Sequence, residues 1–255
     1  MNLLILSDLH LLGPEDPVYP AVLALIREAN RGDRLVFAGD VFELFVGAKK
    51  LFLKRHAGFL SAAREAAARG VSIDYIEGNH DFLLEKVFGG ISGIRVHDGG
   101  LEFEIDGKRF YVAHGDQVDR SDIRYLVLRR FFRSVIMRAF VRFAPDALID
   151  WVGTRMSKKS RKNGTASRDR QTRRADRLRP MFREFAARQV ARGVDFVVLG
   201  HSHDSDELAI TAGDRHGFYM NTGDPRSNGS CVSWMPGSGE LIRKKLIPPP
   251  SPARG

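Results

Sequence analysis

One cysteine, Cys231, serves the whole 255-residue chain. No internal disulfide can form, no thiolate-rich metal site can be built, and a reducing compartment fits. No stretch approaches 18 consecutive apolar residues, which excludes a transmembrane helix. No basic segment precedes the apolar Leu3 to Leu6, so a signal peptide is not expected and the reading is cytoplasmic. The sequence also lacks a P-loop, a serine elbow and a Cys/His nucleophile pair. Acidic residues are scarce in one place. Between Arg124 and Arg183 there are 18 Lys/Arg against 4 Asp/Glu, although the whole chain carries 40 against 31. A basic module inside an otherwise acidic protein implies a partner with phosphates: nucleic acid, anionic lipid or a phosphorylated substrate.

What is present is enough apolar residue, 43%, to build a full α/β core. Leu3–Ser7, Leu35–Ala38 and Val71–Ile76 read as short buried strands. Pro17–Asn30 reads as a helix with Pro17 in its first turn, and Lys50–Arg69 as a second helix with His56 on its surface. This β-α-β-α-β order predicts a parallel sheet. Gly93–His97, Leu101–Ile105 and Arg109–Ala113 are further strands, with Asp106-Gly107 as a hairpin turn. Asp195–Leu199 is another buried strand. Leu208–Thr211, Gly217–Asn221, Cys231–Met235 and Leu241–Leu246 read as antiparallel strands, with turns such as Asn228-Gly229 between them.

From Leu128, apolar residues recur at Phe131, Phe132, Val135, Ile136, Ala139, Phe140 and Phe143, with arginines between. That spacing predicts an amphipathic helix with an arginine face. A shorter helix follows Pro145, then a polar basic stretch over 157–174, then a helix over Arg177–Arg192. The low acid count argues against faces that are merely solvated, because such faces mix both signs for i,i+4 pairing.

Five polar clusters each follow a strand: Asp8-Leu9-His10, Gly39-Asp40, Gly78-Asn79-His80-Asp81, His114-Gly115-Asp116 and Gly200-His201-Ser202-His203. Carboxyl ends of strands are the usual ligand edge of an α/β sheet. Asp8 and His10 at i, i+2 share one side of an extended chain, and His201 and His203 repeat the spacing. Asp8, His10, Asp40, Asn79, His114, His201 and His203 are all nitrogen and oxygen donors. They favour manganese, iron or zinc ions at a working site over a structural zinc. Seven donors exceed one tetrahedral ion and suit two ions sharing a carboxylate, an arrangement that serves phosphoryl displacement.

These five blocks, in this order, resemble the calcineurin-like metallophosphoesterases. The resemblance implies a four-layer α-β-β-α sandwich and a di-metal centre, two Mn²⁺ with iron or zinc as alternatives. It implies Asp8, His10, Asp40 and His203 at one ion and Asp40, Asn79, His114 and His201 at the other, with Asp40 bridging. Asn79 and His80 would lie at the phosphoryl group, with Glu43 orienting His80. Within the superfamily, Gly39-Asp40-Val41-Phe42-Glu43, Asn79-x-Asp81-Phe82-Leu83-Leu84, Asp122 with Tyr125, and Arg155-Met156 followed by Ser160 resemble the UDP-2,3-diacylglucosamine pyrophosphatase family of the lipid A pathway. That resemblance implies cleavage of a UDP-linked diacylated glucosamine to UMP and a lipid 1-phosphate, and a helical lid inserted after the His-Gly-Asp block. It adds Asp122, Ser160, Arg161 and His201 to Asn79 and His80 as substrate contacts. Many members of that family carry arginine where this chain has His80.

The expectation is therefore one α/β hydrolase domain over 1–247, with an amphipathic basic lid at 121–179 and a disordered tail at 248–255. It would act as a monomer, peripheral on the cytoplasmic face of the inner membrane and docked on anionic lipid. Two other readings stay open: a metallophosphoesterase for soluble phosphodiesters, nucleotides or phosphoproteins, and a non-enzymatic nucleic-acid binder. The last is disfavoured, because the aromatic residues of the basic module sit at helical spacing with aliphatics rather than among the basic residues.

Overall fold

The computed structural model describes residues 1–149, 151, 155, 168–224, 231–237 and 239–246, with the backbone alone for 168–172. The sequence places apolar residues on both sides of its strands, and the structure covers both sides. A six-stranded sheet has the order β13-β12-β1-β2-β4-β6 and a five-stranded sheet the order β10-β11-β9-β8-β7. In the first, β1 (Leu3–Leu6), β2 (Arg34–Ala38), β4 (Ser72–Ile76) and β6 (Ile94–His97) run parallel, and β12 (Cys231–Trp234) and β13 (Leu241–Lys244) add an antiparallel edge. In the second, β8 (Lys108–Ala113), β9 (Phe196–Leu199) and β11 (Arg215–Asn221) are parallel. They are flanked by antiparallel β7 (Leu101–Ile105) and β10 (Glu207–Ala212). The strand expected at Gly217–Asn221 is thus antiparallel to β10 only; its other edge joins β9 in parallel. A small parallel pair, β3 (Phe45–Val46) and β5 (Asp81–Phe82), lies beside them.

Period-two alternation sorts the side chains into layers. Leu3, Ile5, Val36, Ala38 and Ile76 meet Phe110, Val112, Phe196, Val198 and Met220 between the two sheets. Leu6, Leu35, Phe37, Ile73 and Tyr75 point outward to α1 (Tyr19–Glu28) and α3 (Ala57–Ala68). On the far side Ala113, Val197, Leu199 and Tyr219 pack against Phe182, Ala186 and Val190 of a long helix. The result is the expected four-layer α-β-β-α sandwich. The Asp106-Gly107 turn has φ of 50° and 74°, the two positive values a type I′ hairpin requires.

Several helix boundaries differ from the sequence reading. The first-turn proline of α1 is Pro20, and Pro17 lies outside the helix. The expected helix 50–69 is broken into α2 (Lys50–Arg55) and α3 at His56. His56 is not a surface histidine: it is fully buried, its ring 4.2 Å from that of Phe42 and 5.4 Å from that of Phe45. His56 lies four residues after Phe52 and three and four before Phe59 and Leu60, on the helix face that these residues bury. A short α4 (Glu85–Phe88) follows β5. The amphipathic segment is two helices, α5 (Ile123–Phe132) and α6 (Val135–Phe143), because Ser134 accepts a hydrogen bond from the Met137 amide and starts a new helix. The last helix, α7 (Arg168–Ala191), begins nine residues earlier than expected and runs through Pro180. The Asn228-Gly229 turn, Ser160, Arg161 and the 248–255 tail lie outside the described residues.

Candidate metal centre

Five parallel strands drawn from both sheets, β1, β2, β4, β8 and β9, end at one edge of the sandwich, and each of the five polar clusters follows one of them. Strand β1 leads to Asp8 and His10, β2 to Asp40, β4 to Asn79 and His80, β8 to His114, and β9 to His201 and His203. The structure brings all of them together. Donor atoms of Asp8, His10 and His203 fall within 4.8 Å of one another, as do those of His10, Asp40 and His80 and those of Asp40, His114 and His201. Asp40 belongs to two of these groups and lies between the two halves of the cluster. The rings of His80 and His10 meet edge to face, with centroids 4.8 Å apart.

The cluster is held at a cost in backbone strain. Among the described residues, seven non-glycine residues have positive φ, and five are Asp8, His10, Asp40, His201 and His203. Such conformations cost about 1–3 kcal/mol each and persist only where the surroundings impose them. The surroundings are visible. Asp81 accepts hydrogen bonds from the amides of Asp40 (3.0 Å), Val41 (2.7 Å) and Gly78 (2.9 Å) and from the Tyr75 hydroxyl (2.6 Å). Its carboxylate therefore fastens two strand ends to each other and is not presented to the cluster. Asp40 Oδ1 accepts from the Asn79 and His80 amides at 2.8 and 2.9 Å. A Cβ on Gly78 would lie 2.2 Å from that oxygen, so only glycine permits the approach. Ser7 Oγ donates to Asp8 Oδ2 at 2.6 Å, and the His201 amide donates to the same oxygen at 2.9 Å.

The donor chemistry fits cations. His114 Nδ1 lies 3.1 Å from the Ala38 carbonyl, to which it donates. Its Nε2 then carries the lone pair, and it faces Asn79 Oδ1 (3.0 Å), His201 Nδ1 (3.1 Å) and Asp40 Oδ2 (3.4 Å). Four such donors converge where nothing neutral satisfies all of them. In the other half Asp8 Oδ1 is buried without a hydrogen-bond partner among the described residues, 3.7 Å from His203 Nε2. An ion between these groups would satisfy both sets. The charges agree: burial opposes positive charge at His114, but Asp40, Asp8 and Asp116 draw it there, and a cation would supply it. Burial and neighbouring imidazoles hold His10 and His201 well below the usual histidine range, in the neutral form that metals bind. Burial works against His80 as well, yet Asp40 and the Glu43 carbonyl raise it.

His80 Nδ1 lies 2.9 Å from the Glu43 carbonyl oxygen, while the Glu43 carboxylate is 3.8 Å from His10 Nδ1. Asp122 is the N-cap of α5, accepting from the Tyr125 amide at 3.0 Å. Asp116 turns away from the cluster and binds Tyr125 Oη (2.6 Å) and Arg129 Nε (2.7 Å).

The basic module is less free than its composition suggests. Arg129 also meets Asp98. Arg133 reaches Asp98 (2.6 Å), the Gly78 carbonyl (2.6 Å) and Glu77 (3.7 Å). On α7, Arg177 pairs with Asp119, Arg179 with Asp204 and Arg183 with Asp206. The missing acids are supplied by distant loops, which spacing along one segment cannot show. Arg124, Arg130, Arg138 and Arg142 stay exposed on α5 and α6.

The chain belongs to the calcineurin-like phosphoesterase family, whose pattern matches residues 1–205, and it is a metal-dependent hydrolase. Among curated relatives it is 25% identical over 251 residues to the UDP-2,3-diacylglucosamine hydrolase of Vibrio atlanticus, covering 96% of this chain and 98% of that one. It is 27% identical over 244 residues to the enzyme of the same name from Escherichia coli O7:K1, covering 95% and 98%. Among solved structures, YfcE, a phosphoesterase from E. coli, is similar over 96% of this chain and 93% of that chain, at 16% identity and a TM-score of 0.47.

Proposed function

We propose that the chain hydrolyses the pyrophosphate of UDP-2,3-diacylglucosamine to UMP and 2,3-diacylglucosamine 1-phosphate, a step of lipid A formation, working from the cytoplasmic face of the inner membrane. The observation that carries the substrate reading is the surface of α5 and α6. Val135, Ile136 and Phe143 are 79%, 73% and 80% exposed, with Ile123, Val127, Phe131, Phe140 and Trp151 also exposed and Arg124, Arg130, Arg138 and Arg142 beside them. Contiguous exposed apolar area marks a binding surface, and arginines beside it suit anionic lipid. This surface adjoins the cluster: the Tyr125 ring lies 6.3 Å from that of His201. The relatives named UDP-2,3-diacylglucosamine hydrolase support the same reading. Residues 121–179 would then be an inserted lid over the 1–247 hydrolase domain. No described helix is long and apolar enough to cross a membrane.

Asp8, His10, Asp40 and His203 would hold one ion, and Asp40, Asn79, His114 and His201 the other, two Mn²⁺ with iron or zinc possible. When bound, two such ions supply Lewis acidity, activating water and neutralising phosphoryl oxygens. Asp40 sets the spacing of the halves and is itself fixed by two amides. Asn79 presents its amide beside the reacting phosphoryl group. His80, held through Nδ1, keeps Nε2 for the substrate, and its raised affinity for a proton suits donation to the oxygen that departs as the anhydride P–O bond breaks. Asp122, and Ser160 and Arg161 beyond the described residues, complete the proposed substrate contacts.

His80, where many lipid-acting relatives have arginine, favours a second reading, hydrolysis of soluble phosphodiesters. Turnover of UDP-2,3-diacylglucosamine in detergent micelles with manganese, beside a chromogenic phosphodiester, separates the two. UMP release well above diester cleavage is expected. Diester cleavage with untouched lipid would overturn the substrate assignment and leave the hydrolase.

A further inference from the structure

Among the described arginines of α7, Arg174 differs from three others in its partners. Arg177, Arg179 and Arg183 each pair with a carboxylate, Asp119, Asp204 and Asp206. Arg174, at the end nearest the cluster, has no carboxylate within ion-pair distance among the described residues. Its Nη2 lies 3.2 Å from His201 Nε2. A neutral imidazole is a poor counterpart for a guanidinium; the negative charges that favour Arg174 are those of Asp8 and Asp40 in the cluster, which bound ions would offset.

The two ring nitrogens of His201 face different groups. Nδ1 faces the cluster, 3.1 Å from His114 Nε2, and Nε2 faces Arg174. A guanidinium has only donors, so Nε2 accepts here and the ring hydrogen lies on Nδ1. An ion held by Nδ1 needs that lone pair, which moves the hydrogen to Nε2. His201 and Arg174 then both aim donors into the same space at the open side of the site. Two divalent ions would outweigh the charges of Asp8 and Asp40, which favours an anionic acceptor between these donors.

We propose that Arg174 is a phosphate-binding residue: with the centre loaded, its guanidinium and the Nε2–H of His201 hold one non-bridging oxygen of the substrate's phosphoryl group. This rests on the metal-ligand reading above and not on the lipid as substrate. Guanidinium–phosphate contacts are charge-assisted and geometrically specific.

The test uses the full chain loaded with manganese and inorganic phosphate as the probe. Phosphate affinity is measured by calorimetry and as competitive inhibition of bis(p-nitrophenyl) phosphate hydrolysis, with bound manganese counted in parallel. Arg174→Ala is expected to weaken phosphate roughly 10- to 100-fold and to raise KM for the diester more than it lowers kcat, with manganese content unchanged. Arg174→Lys should recover part of the affinity. Arg188→Ala, on the exposed face of the same helix in an i,i+4 pair with Glu184, should match the unaltered protein. Phosphate affinity within about twofold in Arg174→Ala, no measurable phosphate binding by the unaltered protein, or loss of manganese along with phosphate would overturn the proposal. The last would make Arg174 a support for His201. Failure of the lipid assay with weakened phosphate binding in Arg174→Ala would discard the lipid and keep Arg174.

Discussion

His56 offers a test that does not depend on catalysis. It is fully buried between Phe42, Phe45 and the kink that separates α2 from α3, and neither ring nitrogen has a hydrogen-bond partner among the described residues. Burial, with Arg55 nearby, lowers its pKa to about 3. The unfolded chain takes up the proton near pH 6.5, so below that value protons favour unfolding. The stability His56 allows is complete above pH 6.5 and is lost as pH falls toward about 3. Linkage gives about 1.4 kcal/mol per pH unit within the window, or about 2 kcal/mol between pH 7 and pH 5. His56→Phe removes the titration and keeps an aromatic ring in an aromatic pocket. Urea unfolding of both proteins at pH 7.5 and pH 5, in EDTA so that bound metal does not contribute, reads the difference. The variant is expected to gain about 2 kcal/mol relative to the parent on acidification. If the two lose stability in parallel, the ring is not held neutral and the reasoning is wrong.

Other outcomes are expected at the site and its surroundings. Asp40→Asn should lower turnover more than about 100-fold and release metal while circular dichroism stays unchanged; full activity with two bound ions would refute the bridging position. Ile136→Glu with Phe140→Glu should abolish binding to anionic vesicles and spare hydrolysis of a soluble diester. Phe132, half-buried with its ring 5.6 Å from that of Phe82, is left unaltered; equal loss of diester hydrolysis in the double variant would mean that Ile136 and Phe140 are core. Arg133→Met should destabilise the fold by about 3 kcal/mol, because Asp98 and the buried Glu77, which burial pushes up to about 7, lose the guanidinium that also binds the Gly78 carbonyl. Chemical denaturation measures it, and a change below about 0.5 kcal/mol would show that the contact contributes little.

The sandwich and the gathering of candidate ligands were legible because each strand announces itself locally. A short apolar run followed by Asp-x-His, Gly-Asp, Gly-Asn-His-Asp, His-Gly-Asp or Gly-His-Ser-His needs no distant information, and all five clusters do meet. What sequence could not supply was the direction of individual side chains. Asp81 and Asp116 belong to those clusters, yet one fastens backbone amides and the other binds Tyr125 and Arg129. Spacing assigns a residue to a loop, whereas burial and the donors within reach decide what its carboxylate does. His56 differs for a related reason: its polarity argues for the surface, whereas it shares the helix face of Phe52, Phe59 and Leu60 and is buried with them.

The sequence by itself determined the α/β class, the order of strands and which residues gather at their carboxyl ends, because these follow from hydrophobic patterning and short motifs. Tertiary structure alone decided which charges are free. Acids at 77, 98, 116, 119, 204 and 206 come from loops far along the chain to meet Arg129, Arg133, Arg177, Arg179 and Arg183. An ion pair depends on distance in space, and no count along one segment contains it. The same folding leaves Arg174 at the metal cluster without a carboxylate among the described residues, and leaves the apolar faces of α5 and α6 turned outward.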